Sequence, residues 1–229
     1  MGAALGWGGL AASSLVIGAL LGLARSWPDE AIGIVLAFGA GALISAVSFD
    51  LAEEGAQVGS PGTMAIGLGL GAMTYFTLDR LVDKGGGGGT ALALGAFLDG
   101  IPEQLVLGIG IAAGEGVSVG LLAAIFVSNL PEAIGSSTDM RAARRSSRQI
   151  LRLWVLVAVI CTGATVAGYA LADSTGGDLQ AAIDGFAAGA LLVMLIDSMI
   201  PEAVRKGGRV VGLVTVLGFA VAAALSGIG

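Results

Sequence analysis

Histidine is missing altogether from the 229 residues, and cysteine occurs once, as Cys161. Imidazole ligation, imidazole acid–base catalysis, an intramolecular disulfide and any cluster of thiolate metal ligands are thereby excluded. Charge is scarce as well. Asp, Glu, Lys and Arg make up 12% of the chain against 55% hydrophobic residues, and the mean hydropathy is +0.92. A soluble domain carries about twice that charged fraction. Only 11 residues are basic and the net charge is −6, which leaves no basic recognition surface for nucleic acid.

What is present is apolar sequence in long runs. A bilayer-spanning helix takes about 20 mostly apolar residues, and the chain divides into eight such runs: 3–24, 31–53, 63–83, 90–112, 117–139, 150–172, 179–203 and 209–227. The reading is an all-α polytopic membrane protein, a single transmembrane domain over residues 1–229 with almost nothing left for a soluble domain. Basic residues collect on the cytoplasmic side. Arg25, Arg80, Lys84, the group Arg141, Arg144, Arg145, Arg148 and Arg152, and the group Arg205, Lys206 and Arg209 all fall on one side of this arrangement. The other side holds Glu53, Glu54, Glu115, Asp173 and Asp178 and no base. Eight spans then put both termini outside. The first span lacks the basic leading segment of a secretory signal and reads as a retained helix. "RAARRSSRQILR" (141–152) reads as a topology determinant touching anionic lipid.

An internal repeat is visible. "FGAGALISAVSFDLAEEG" (38–55) resembles "FAAGALLVMLIDSMIPEA" (186–203), with Phe38 on Phe186, Gly41 on Gly189 and Glu54 on Glu202. The same shift lays the first span on the sixth and the third roughly on the eighth. The two triplets therefore run oppositely through the membrane, an inverted 3+2+3 repeat with the fourth and fifth helices outside it. Chance likeness of Ala/Gly-rich helices is the competing explanation. "GGGGG" (85–89) reads as a flexible linker.

Three of the five prolines lie inside apolar runs, and each precedes a glutamate: Pro102–Glu103, Pro131–Glu132 and Pro201–Glu202. Proline lacks an amide hydrogen, so the carbonyls of Leu98, Val127 and Asp197 lose their helical donors. Within hydrocarbon, such groups persist only where protein buries them or a polar cavity receives them. Asp99 and Glu103 stand i,i+4 on one face of the fourth helix; Ser128, Asn129 and Glu132 stand i, i+1 and i+4 on the fifth. Three central carboxylates cost about 8–10 kcal/mol together on the insertion scale. Lys and Arg occur in the runs only at their ends, as Arg80, Arg152 and Arg209, and none stands near these central acids, so protons, water or a bound cation must compensate. Protonated carboxyls bonded between helices are one solution and a cation site is the other. An all-oxygen site suits Mg, Mn or Fe(II), and zinc also accepts carboxylates. Asp50, Glu54 and Asp184 lie toward outer helix ends, where they could attract cations. Ser136 and Asp139 continue a polar stripe inward from Glu132, and Glu202 is a further candidate, although solvated helix ends explain these positions too.

With these residues in hand, the chain resembles the ZIP (Zrt-, Irt-like protein) metal transporters. "DGIPEQ" (99–104) stands where that family's fourth helix has a His-Asn-x-Pro-Glu-Gly motif, "SNLPEA" (128–133) matches the fifth-helix motif, and "LIDSMIPEA" (195–203) is similar to the seventh-helix ending. The resemblance implies eight helices with both termini outside, and Asp99, Glu103, Ser128, Asn129 and Glu132 as metal ligands. It also implies a zinc, iron or manganese substrate, a homodimer in the cell membrane, and alternating access by a fourth/fifth-helix unit. Asp99 replaces the usual histidine and Gly100 the usual asparagine. The sixth helix offers Cys161, Thr162 and Thr165 where some members have an acid, and the histidine-rich loop is absent. The chain reads as a divergent, histidine-free member and as a transporter rather than an enzyme, with no organic cofactor. Competing readings are a proton-coupled transporter of a non-metal solute, a transport-inactive homologue, and an intramembrane aspartyl hydrolase using Asp99 and Asp184.

Overall fold

The computed structural model describes residues 1–83, 89–112, 119–173 and 177–226. They form helices and no strand. We label eight rods in chain order. α1 is Gly2–Ala24; α2 is Asp29–Ala46, continued through a widened π-helical stretch Val47–Glu53 into Glu54–Val58; α3 is Pro61–Asp83; α4 is Gly89–Ala112. α5 is Val119–Ala142 and α6 is Ser147–Asp173. α7 is Asp178–Met194, continued through a second π-helical stretch Leu195–Met199 into Ile200–Gly207, and α8 is Val211–Ser226. Gly208, at φ 64°, turns the chain between α7 and α8, a conformation that a side chain would oppose. The linker 85–89 lies outside the described residues up to Gly89.

Among the described residues, five helical stretches are long and apolar enough to cross a membrane: Gly2–Ala24, Asp29–Val58, Val119–Ala142, Ser147–Ala172 and Asp178–Leu225, the last containing both α7 and α8. The chain is thus an all-helical, multi-pass membrane protein. α3 falls short because glycine and threonine dilute it and Asp79, Arg80 and Asp83 crowd its end. α2 runs on to Val58 and α7 to Gly207, beyond the expected ends at 53 and 203. The prolines do not break the rods: Pro102 and Pro131 sit inside continuous helix.

The packing follows a simple rule. α2 lies along α8 and α3 along α7; α1 lies along α5 and α4 along α6; α1 meets α6, α2 meets α7, and α4 meets α5. Exchanging α1 with α6, α2 with α7, α3 with α8 and α4 with α5 returns the same set of extensive contacts. The fourth and fifth helices, expected to stand outside the repeat, obey this exchange as well. Glycines make the approaches possible. A Cβ at Gly41 would strike the Thr215 carbonyl, and one at its repeat mate Gly189 would strike the Leu68 carbonyl. Gly71 meets the Phe186 carbonyl in the same way, and Gly218 the Phe38 carbonyl. The register that aligns Phe38 with Phe186 also aligns the two π-helical starts, Val47 with Leu195. Pro201 explains widening in α7, since it withholds a donor. No proline stands near the α2 stretch, so packing rather than proline alone sets the geometry.

Contacts between helix ends sort the molecule into two faces. Arg141 Nη1 donates to the Leu23 carbonyl at 2.7 Å, placing a cation on the C-terminus of α1. Gly33, near the start of α2, presses on Gly207 and Lys206 at the end of α7. These are the ends that carry the basic residues. At the opposite face the Ser60 amide donates to Asp178 Oδ1 at 2.7 Å and the Thr63 hydroxyl to the same oxygen at 3.3 Å, tying the α2–α3 turn to the start of α7.

Candidate metal site

The Pro-Glu motifs of α4 and α5 meet inside the helix bundle. Glu103 is 1% exposed, and Ser128 and Asn129 are as deeply buried. The Ser128 hydroxyl lies 3.0 Å from Glu103 Oε1 and 3.0 Å from the Ile125 carbonyl. One hydroxyl proton thus faces two acceptors at equal distance. A proton on Glu103, or a cation drawing on its carboxylate, would each resolve that competition. Neither amide atom of Asn129 meets a hydrogen-bond partner among the described residues. A buried primary amide left in that state costs about 1–3 kcal/mol per unmet atom, so Asn129 has oxygen and nitrogen available for a further group. Glu132, one turn along α5 from Ser128, is half-buried.

α2 and α7 wall the site. A Cβ at Gly39 would lie 3.1 Å from Ser128 Cα and 3.0 Å from Met199 Cε, so glycine lets α2 come down onto the α5 motif. Met199 belongs to the widened stretch of α7. On α6, Cys161 is fully buried and places its Sγ 2.9 Å from a Cβ that Gly100 would carry. The thiol thereby fills the space left by glycine at the position where the resemblance expects asparagine. A turn farther along α4, Gln104 Oε1 accepts from the Thr165 hydroxyl at 2.5 Å, fully buried, while Gln104 Nε2 has no partner among the described residues.

Asp99 and Glu54 are described as helix positions only: Asp99 stands one turn before Glu103 on α4, and Glu54 follows the π-helical stretch of α2. Asp50 is half-buried within that stretch. Asp184 is buried near the start of α7, where it accepts from Gln180 Nε2 at 2.8 Å and approaches Gly55. Asp184 therefore lies apart from the α4–α5 motifs. Ser136 is buried and Asp139 exposed. Glu202 pairs with Lys206 at 2.7 Å and more loosely with Arg205 at 3.6 Å. Among the described residues no three of the carboxylate and thiol side chains converge as a metal-holding group. What meets is Glu103 and the Ser128 hydroxyl, with the buried Asn129 amide the next residue on α5 and Glu132 one turn farther along that helix. Sequence reasoning missed the Gln104–Thr165 bond and the Cys161–Gly100 contact, which depend on how α4 and α6 pack. It also missed the Glu202–Lys206 pair, although that i,i+4 spacing was readable.

No protein-family model matches the chain. In an alignment 189 positions long that covers 76% of the chain, it is 30% identical to an Arabidopsis thaliana protein bearing the name "Putative zinc transporter At3g08650". The chain spans about 30% of the length of that relative.

Proposed function

We propose that this protein is a ZIP-type transporter. It carries a divalent metal ion of the zinc, iron or manganese class toward the cytoplasm through the site between α4 and α5. Asp99, Glu103 and Glu132 supply charge, and Ser128 and Asn129 supply neutral donors that replace part of the cargo's water shell. The observation that carries the reading is the 3.0 Å contact between the Ser128 hydroxyl and Glu103 beside the unmet Asn129 amide. It joins two separate Pro-Glu motifs at one buried point. The likeness to a plant protein named for zinc transport supports the same class of cargo. The fuller picture has eight membrane crossings with both ends outside, an inverted repeat, and two copies of the chain in the cell membrane. In it Asp50, Glu54 and Asp184 belong to the outer approach, and Ser136, Asp139 and Glu202 to the inner one.

Uptake of Zn, Fe(II), Mn, Co, Cd and Mg into proteoliposomes tests the reading directly. At least one of these ions enters with wild-type protein, and both Glu103→Ala and Glu132→Ala abolish that entry while eluting as folded protein. The competition for the Ser128 proton, and the absence of three converging acids among the described residues, favour a second reading in which the carboxyls carry protons for a non-metal solute. Failure of every metal to enter, with the variants folded, would decide for it.

A further inference from the structure

The inner end of the polar stripe is occupied by a cation that belongs to the protein. Lys206 Nζ lies 2.7 Å from Glu202 Oε1, and the lysine and glutamate side chains are only 13% and 30% exposed. A Cβ at Gly135 would stand 3.4 Å from that ammonium. Gly135 follows Glu132 by three residues and precedes Ser136, so the charge rests on the α5 face that leads inward from the candidate site. The backbone of Lys206 is fixed as well, because Gly33 of α2 packs onto Lys206 and Gly207 so closely that a methyl group there would clash. α7 and α5 thus flank the ammonium, and α2 packs on the backbone that carries it. On α7 the charges beside it are Glu202 and, farther out, Arg205; on α5, Glu132 and Asp139 stand three residues before and four after Gly135. Arg205 is 72% exposed and reaches Glu202 only at 3.6 Å, so it does not take that place.

The repeat supplies an internal control. The register that aligns Glu54 with Glu202 aligns Val58 with Lys206. At the end of α2 the glutamate is followed by valine; at the end of α7 it is followed by a lysine that turns back onto it. The two ends therefore differ by a tethered positive charge. A divalent ion leaving the α4–α5 site along Ser136 and Asp139 would meet it head on.

We propose that Lys206 is the inner gate. Paired with Glu202 and lying on Gly135, its ammonium closes the inner end of the α5 stripe, and cargo leaves only when the pair swings aside. This rests on the transport reading above, but its test has a readout that needs no metal. Cys161 is the sole thiol and its Sγ lies against Gly100, the residue after Asp99 on α4, so its modification reports access to the α4 motif. Sealed vesicles of each orientation are treated with the impermeant, permanently charged cation methanethiosulfonate ethyltrimethylammonium, and Zn uptake is measured in parallel on wild type, Lys206→Met, Lys206→Gln and Lys206→Arg. Removing the charge speeds Cys161 modification by at least about tenfold, only from the side where segment 141–152 is exposed, as expected when one charge-assisted contact holds a closed state. Lys206→Arg stays near wild type. Unchanged modification in both folded neutral variants, or a rise equal from both sides, overturns the gate even if Zn uptake persists. A one-sided rise with no uptake by any variant, wild type included, keeps the gate and removes the metal.

Discussion

Single residues here act through hydrogen bonds that have no water to replace them. Gln104 illustrates the magnitude. Its amide oxygen accepts from Thr165, and its amide nitrogen has no partner among the described residues. Thr165→Val preserves the shape that packs against Gly8 of α1 but leaves both ends of the amide unmet. It should lower stability by about 1–3 kcal/mol, read as an earlier thermal melt in detergent. Restoring it with Gln104→Leu in the double variant separates the unmet amide from the lost contact, because two apolar partners of similar shape are nearly neutral. A Thr165→Val protein that melts like wild type would mean the bond contributes nothing. The carboxylates were legible at this scale: proline followed by glutamate inside an apolar run has few uses in a bilayer. Thr165 was visible only as one polar residue among several on α6, since its partner is fixed by the rotation of α6 against α4. Helical spacing within one segment does not encode that rotation.

At the scale of elements, glycine placement decides which helices lie together. Two glycines of α3 make a controlled comparison. Gly71 faces the Phe186 carbonyl of α7, whereas a Cβ at Gly69 would meet open space. Gly71→Ala therefore forces α3 away from α7 and should cost about 1–3 kcal/mol, while Gly69→Ala should be neutral or stabilising by up to about 1 kcal/mol through helix propensity. Thermal unfolding of the two variants side by side checks this, and equal melts would refute the close approach. The likeness of 38–55 to 186–203, and with it the proposed repeat, was legible in the sequence. Its extension to α4 and α5 was not, because the two helices share little beyond Pro-Glu, and their exchange shows only in which neighbours they touch. The π-helical stretches were invisible too. Nothing in "VSFDLAE" differs from ordinary helical sequence, so the wide turn arises from packing.

The whole molecule poses a question of direction. An interior-negative potential of 100 mV favours inward movement of a divalent ion by about 4.6 kcal/mol, so the face that meets the outside fixes which way the proposed pathway runs. On the proposed eight-span arrangement the two faces differ in charge: every basic residue falls on one, and the other has acids and no base. The structure brings the ends of each set together, with Arg141 on Leu23 at one face and Asp178 on Ser60 at the other. The positive-inside rule turns that partition into an orientation. In a Cys161→Ser background, a cysteine replacing Gln57 should react with an impermeant maleimide on intact cells. One replacing Arg145 should react only after the membrane is opened. Both positions are exposed at helix ends, so a lack of reaction cannot be put down to burial. Reaction of both from outside would break the eight-span count. The reverse pattern would turn the molecule over, placing Lys206 at the outer mouth, where a tethered cation would hold cargo out rather than in.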